Sequence, residues 1–401
     1  MAEQPIITGT PSLLRAINAR AILELIRSTG PVSRAQVARG SGLSKPTVSL
    51  GLTALLMAGL VREVGRSSGG VGRGSVLYEL NPVVGWVAGI DIGRHWVRAE
   101  LADITGTVVA RRDQAARVRS ARLLVSQVGA IAHELAAEAG IDWDRVTHTT
   151  VGSPGVLDPA SGRISLAPNL VGWERQGLAE ALKRELGERI NVENDVNLAA
   201  MGEQWRGLGQ GVRNFGFLWI STGVGLGLVL NGELFRGGSG AAGEVGYLPL
   251  GADPRGPGAR RRGAFEDAVA ADGVVNIALE LGMGRPLTAK KVFTAARKGD
   301  LLAARVVEEI GRRIALGVAA VAAVLDLDLV ILGGGIGANN AMLLDPIGRE
   351  LRALSPLRPR LAISALGDDA VLCGAVATAL SAAQERLFDP ARMLDRQDQA
   401  V

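Results

Sequence analysis

Apolar residues recur at Leu13, Leu14, Ile17, Ile22, Leu25 and Ile26, a helical spacing that predicts an amphipathic helix from about Ser12 to Ser28. Gly30-Pro31 stops it. Ser33 reads as the cap of a short second helix, Arg34 to Arg39, with Val37 and Ala38 facing inward. Gly42 supplies a sharp turn, and Leu43 an apolar plug. Ser44 and Pro46 open a third helix, since Ser accepts from a free first-turn amide and Pro there gives up no bond. Val48, Leu52, Leu55 and Leu56 share one face of this helix, and Gly59 ends it. Two strands follow, Leu60–Val64 and Ser75–Leu80, joined by a Gly-rich tip, 65–74, that carries Arg66 and Arg73.

Three helices in this order, followed by a hairpin with a basic tip, make a winged helix-turn-helix. Away from its apolar face the third helix offers Ser44, Lys45, Thr47 and Ser49 near its N-terminal end, where a recognition helix meets base edges in the major groove. A wing carrying Arg66 and Arg73 suits the adjacent backbone or minor groove. Charge points the same way. The first 85 residues hold nine basic and four acidic groups, leaving 35 basic and 36 acidic groups in the rest. The net charge of +4 therefore belongs to the head, and the expected partner is a double-stranded DNA operator. Only five of the 44 basic residues are lysine, so no single arginine is by itself a sign of phosphate. The competing reading is a winged helix used for protein contacts.

Composition narrows the remainder. A chain of 401 residues, 47% hydrophobic and 21% charged, is long enough for two or three domains and apolar enough to bury their cores. The longest apolar run, Ile314 to Leu325, is too short to span a bilayer, and the N-terminus has no apolar signal region. The expectation is a soluble, cytoplasmic protein without a membrane partner. The single cysteine, Cys373, excludes an internal disulfide and a Cys-rich zinc site, and His95, His133 and His148 have no metal-ligand spacing. No metal or cofactor is expected.

From Trp86 the pattern changes. Val87–Gly93 reads as a buried strand ending in Asp91 and a glycine, with further strands at Val97–Leu101 and Thr107–Ala110. Downstream come Ser153-Pro154-Gly155-Val156-Leu157-Asp158, Ala167-Pro168-Asn169-Leu170-Val171-Gly172-Trp173 and Val192-Glu193-Asn194-Asp195-Val196-Asn197. Ser221-Thr222-Gly223-Val224-Gly225-Leu226-Gly227, Gly243-Glu244-Val245-Gly246 and Ile331-Leu332-Gly333-Gly334-Gly335-Ile336 follow.

With these motifs in this order, the chain resembles the ROK family of repressors, open reading frames and sugar kinases over roughly residues 12–385. The resemblance implies an α/β chain: an N-terminal winged helix-turn-helix (1–82) plus a two-lobed actin-like (ribonuclease H-like) sugar-kinase fold (83–401). It also implies a sugar in the cleft and a homodimer or homotetramer. Asn169, Asn194, Asp195, Glu244 and Glu266 match the residues that hold sugar hydroxyls, and Gly155 lines the same cleft. Asp195 stands where the kinases keep their general base, here vestigial. Gly223–Gly227 and Gly333–Gly335 match the turns that meet phosphate and adenosine.

Two departures matter. The kinases continue Asp-Ile-Gly-Gly-Thr, whereas here Gly93 is followed by Arg94, His95 and Trp96. A bulky side chain in place of the second glycine works against close backbone approach to a phosphate, the alternative being that Arg94 contacts the phosphate itself. The family's zinc ligands, one His and three Cys, are replaced by Tyr247, Pro257, Ala259 and Ala264. Tyr247 thus joins the expected sugar site in place of a histidine. Arg260-Arg261-Arg262 is expected to be a solvated loop. The expected function is transcription regulation, repression above all, by a domain that senses a carbohydrate and is not an enzyme. A sugar kinase with a DNA-binding head and a degenerate dimerisation module are the alternatives.

Overall fold

Local capping builds the N-terminal head. The computed structural model describes residues 11–389, apart from 68–73, 159–160, 168–169, 176, 252 and 257. In it α1 (Pro11–Thr29), α2 (Arg34–Ser41) and α3 (Lys45–Met57) follow the anticipated order. Ser33 accepts from the Gln36 amide, and the Gln36 side chain accepts from the Ser33 amide, so α2 starts with both free donors satisfied. Ser44 caps α3 in the same way through the Thr47 amide. Val37, Val48, Leu52 and Leu55 are buried with Ile22, Leu23 and Ile26 of α1.

The expected hairpin is a three-stranded sheet. β1 (Val32–Ser33) pairs with β3 (Val76–Leu80), which also pairs with β2 (Val61–Arg66). A two-residue strand is too short to leave an alternating pattern in the sequence.

A 3-10 turn at Pro82–Val84 leads into the first of two five-stranded sheets. There β4 (Trp86–Ile92), β5 (Trp96–Asp103) and β6 (Val108–Ala115) run antiparallel. On the other side of β4, β7 (Val146–Ser153) adds in parallel. Beyond the small hairpin β8 (Val156–Leu157) and β9 (Ile164–Ser165), β10 (Ile190–Asn194) adds in parallel to β7. The second sheet repeats this plan. β11 (Phe215–Ile220), β12 (Val224–Leu230) and β13 (Glu233–Leu234) are antiparallel, and β14 (Leu329–Gly333) and β15 (Arg360–Ile363) are parallel beyond β11. The same order occurring twice is the two-lobed actin-like plan.

Helices α4 (Ala121–Glu138) and α5 (Leu178–Leu186) pack on the first sheet, with Leu124, Val128, Ile131 and Leu135 at helical spacing on the buried face of α4. Between the lobes, α6 (Asp195–Arg206) lies against the second sheet and the C-terminal helix Ala370–Leu387 against the first. The two helices cross at Gly202 and Gly374, where a Cβ on either would collide with the backbone of the other. Glycine there lets the two helix backbones approach closely. No helix among the described residues is long and apolar enough to cross a membrane.

Candidate functional site

In the head, α3 presents Ser44 and Lys45 exposed, and Thr47 and Ser49 half-buried. Ser44 Oγ and Thr47 Oγ1 lie 2.8 Å apart, so the cap also fixes the Thr47 rotamer. Arg34, which the sequence did not single out, donates to Ser49 Oγ at 3.2 Å and to the Tyr78 hydroxyl at 3.0 Å. From α2 it ties α3 to β3, and its bond to Tyr78 joins residues 44 apart in sequence. On β2, Arg66 is exposed and donates to the Gly74 carbonyl at 3.1 Å, bracing the base of the wing. Arg73 lies outside the described residues.

Between the lobes runs a cleft of about 770 Å³ that brings together Gly155, Asn194, Asp195, Glu244, Tyr247 and Glu266. Asn169 lies outside the described residues. Each remaining group is set by its own local chemistry. Asn194 is the N-cap of α6, its Oδ1 accepting from the Val196 and Asn197 amides, and its Nδ2 donates to the Gly155 carbonyl at 3.0 Å. Asp195 follows in the first turn and accepts from the Val196 amide at 2.9 Å. Gly155 sits at φ +93°, and a Cβ there would stand 2.5 Å from the Ser165 carbonyl oxygen. Trp173, fully buried, donates from Nε1 to Ser153 Oγ at 2.7 Å and holds the turn that carries Gly155.

Carboxylates converge on this cleft, and burial makes their charges costly. The Asp195 carboxyl is pushed up to about 6 by desolvation, against the backbone amides that favour its ionised form. Glu244 is pushed up to about 7 by burial, then by the charges of Asp195 and Glu266. Asp91, at the end of β4, is pushed up to about 7 by burial and by Asp195, with Arg98 at 3.8 Å acting the other way. Tyr247 is raised by burial and by Glu244, and its hydroxyl donates to the Arg261 carbonyl at 3.2 Å while its ring lines the cleft. Glu266 accepts from the Val224 amide at 2.9 Å and from Arg262 at 3.0 Å.

The sequence did not single out Arg98, Asp368 or Val371, which also line the cleft. Arg98 donates to the Asp368 carbonyl at 2.8 Å, and Asp368 and Val371 line the cleft at the head of the C-terminal helix. Arg94 and His95 are exposed at the cleft, where the kinases keep glycine and threonine. The triple arginine is not the solvated loop expected: 259–262 is a short helix, and Arg262 is half-buried and bonded. A cleft of paired carboxylates and amides is suited to a polyhydroxy ligand, since each hydroxyl both donates and accepts. At the other end of the C-terminal helix, Leu380, Ala383, Leu387 and Phe388 belong to the same hydrophobic cluster as Ile22, Leu52 and Leu80 of the head.

Residues 87–382 match the ROK family, and residues 16–65 match the IclR helix-turn-helix domain. A putative xylose repressor of Caldicellulosiruptor sp. (strain Rt8B.4) is 25% identical over 93% of this chain and 98% of its own length. A glucokinase of Halalkalibacterium halodurans is 30% identical over 72% of this chain and 93% of its own. A solved ROK family transcriptional regulator, a homologue of the E. coli Mlc protein, superposes with a TM-score of 0.77 at 22% identity, over 96% of this chain and 100% of that one.

Proposed function

The chain belongs to the ROK family, and on that footing we propose that it is a sugar-responsive transcription repressor whose kinase-like cleft has become a sensor. One observation carries the reading. The helix Ala370–Leu387 starts at the cleft, which Asp368 just before it and Val371 in its first turn both line, and ends in the core shared with the winged head. Its 18 residues make a rod of about 27 Å. A ligand that closes the lobes over the cleft moves the start of that rod, and the head moves with its end. The shift in population equals the ligand's difference in affinity between the two forms and no more.

In this reading Asn194, Asp195, Glu244 and Glu266 take the sugar hydroxyls, with Gly155 and Tyr247 shaping the walls, and Asn169 joins them by resemblance. Ser44, Lys45, Thr47 and Ser49 meet base edges, while Arg66 and Arg73 meet phosphate. Two heads of a homodimer or homotetramer then occupy half-sites about 34 Å apart. The relatives named above supply the first sugars to try, xylose and glucose. The experiment is fluorescence anisotropy of the intact protein on its own upstream DNA at fixed salt, with a panel of free sugars. A sugar that changes operator affinity supports the reading; silence across the panel defeats it.

A second reading, an ATP-dependent sugar kinase, is favoured by the Asp195 carboxyl, whose value of about 6 suits a base near neutral pH. Arg94 opposes it, because a bulky residue stands where the kinases keep the glycine that lets the backbone approach a phosphate. Coupled ATP turnover with the same sugars separates the two, and we propose that no turnover occurs.

A further inference from the structure

The family resemblance brings a structural zinc that braces the segment carrying the second glutamate of the cleft, and this chain does not fit it. Ala259 and Ala264 are buried and have no donor atom, and the Tyr247 hydroxyl is engaged with the Arg261 carbonyl. Pro257 has no side-chain donor and lies outside the described residues. Something else must hold Glu266 in register. On the reading above, in which Glu266 meets a sugar, we propose that Arg262 is the positioning residue that orients Glu266 and so sets sugar affinity, replacing a metal-centred brace with a guanidinium-centred one.

The geometry is specific. Arg262 donates from Nε to Glu266 Oε1 at 3.0 Å, from one terminal nitrogen to Asp272 at 2.7 Å, and from the other to the Thr222 carbonyl at 3.1 Å. The second Glu266 oxygen accepts from the Val224 amide at 2.9 Å. With both oxygens held, the carboxylate plane is fixed, and one lone pair on each remains for a ligand. Three separate pieces of chain are thereby tied together: the turn between β11 and β12, the helix Ala264–Val269 that bears Glu266, and the helix Ala271–Glu280 that bears Asp272.

Only a guanidinium can do this. Its five donors lie in one plane and reach outward in three directions, whereas a lysine ammonium is a compact point charge on a single stem. The neighbours Arg260 and Arg261 have the same charge but are exposed, so position and not basicity singles out Arg262. The network also explains why Glu266 stays in the cleft without a metal.

The test has two arms on the full-length protein. In the first, titration calorimetry with D-xylose, D-glucose and N-acetyl-D-glucosamine compares wild type with Arg262→Met, Arg262→Lys and Arg260→Ala, the last an exposed arginine outside the cleft lining. For a sugar that binds wild type, the expected result is about a tenfold or greater loss in Arg262→Met, partial recovery in Arg262→Lys and no change in Arg260→Ala. In the second arm, no ligand is needed. Amide exchange should rise at Val224 and its turn in Arg262→Met while the first-lobe sheet keeps its protection. Wild-type sugar affinity in Arg262→Met overturns the proposal, and so does unchanged exchange at Val224. If no sugar binds wild type, the sugar-sensor reading falls, and the exchange arm alone decides the role of Arg262.

Discussion

The Asn194 side-chain amide donates to the Gly155 carbonyl at 3.0 Å while its oxygen caps α6, so one residue sets both the cleft wall and the helix that carries Asp195. These duties can be separated by mutation. Asp is as good an N-cap as Asn but has no donor for Gly155. Asn194→Asp should therefore keep the melting midpoint within a few degrees of wild type and weaken sugar binding about tenfold. Asn194→Ala loses the cap as well, at a further cost of about 1 kcal/mol. Equal sugar affinity in wild type and Asn194→Asp would show that the Gly155 contact is idle.

Sugar affinity should depend on pH near neutrality. Asp195 and Glu244 titrate at about 6 and about 7 because burial opposes their charge. Sugar hydroxyls donate best to ionised carboxylates, so binding lowers these values and releases protons. Affinity should rise from pH 5.5 through 7 and level off by about pH 8, once Glu244 is ionised. The apo protein should behave in the opposite sense. Groups whose folded values are raised contribute stability below their unfolded values of about 4, and lose it as pH rises through 6 to 7. Calorimetry in buffers of different ionisation enthalpy measures the protons. Flat affinity, or a fall toward pH 8, contradicts this assignment.

Gly155→Ala tests the cleft wall directly. At φ +93° an alanine is strained, and its Cβ would meet the Ser165 carbonyl at 2.5 Å and Ala167 Cβ at 2.9 Å. The first of these is backbone, which cannot swing aside. The expected cost is about 1–3 kcal/mol of stability, read by denaturant melts. Sugar binding should be lost, and sugar-free operator binding retained. An unperturbed melt would place this turn elsewhere.

Coupling between cleft and head should fail at the far end of the C-terminal helix. Phe388 is fully buried in the core that also holds Leu52 and Leu80. Phe388→Leu loosens that packing by leaving a small cavity, at a cost of about 1–2 kcal/mol. Its sugar affinity should stay within about twofold of wild type, while the ratio of operator affinities with and without saturating sugar moves toward one. A wild-type ratio would route the signal through another element.

For the head, Lys45→Ala should cost about 1–3 kcal/mol on operator DNA and less on random DNA. Arg34→Ala should also weaken operator binding, although Arg34 need not touch DNA, because Ser49 and Tyr78 lose their common brace. Binding curves on both DNAs at several salt concentrations would separate the two effects. A variant that weakens both DNAs alike reads phosphate, not sequence.

The sequence by itself determined whatever is decided within a few residues. Ser33 and Ser44 cap helices, Gly30-Pro31 ends one, and the apolar spacing of α1 and α3 fixes their buried faces, all through bonds that span three or four positions. The motifs around Gly155, Asn194, Asp195, Glu244 and Glu266 were legible as a set through a family resemblance, and they do line one cleft. Tertiary structure decided what depends on distant partners. β1 became a strand only because β3 lay beside it, and Arg34 met Tyr78 across the head. Asp91, Asp195 and Glu244 acquired their raised values only when two lobes desolvated them together. Arg262 read as one cation in a run of three, since charge is visible in a sequence but burial and bonding geometry are not. Its meaning appeared only once Glu266, Asp272 and the Thr222 carbonyl had been folded around it.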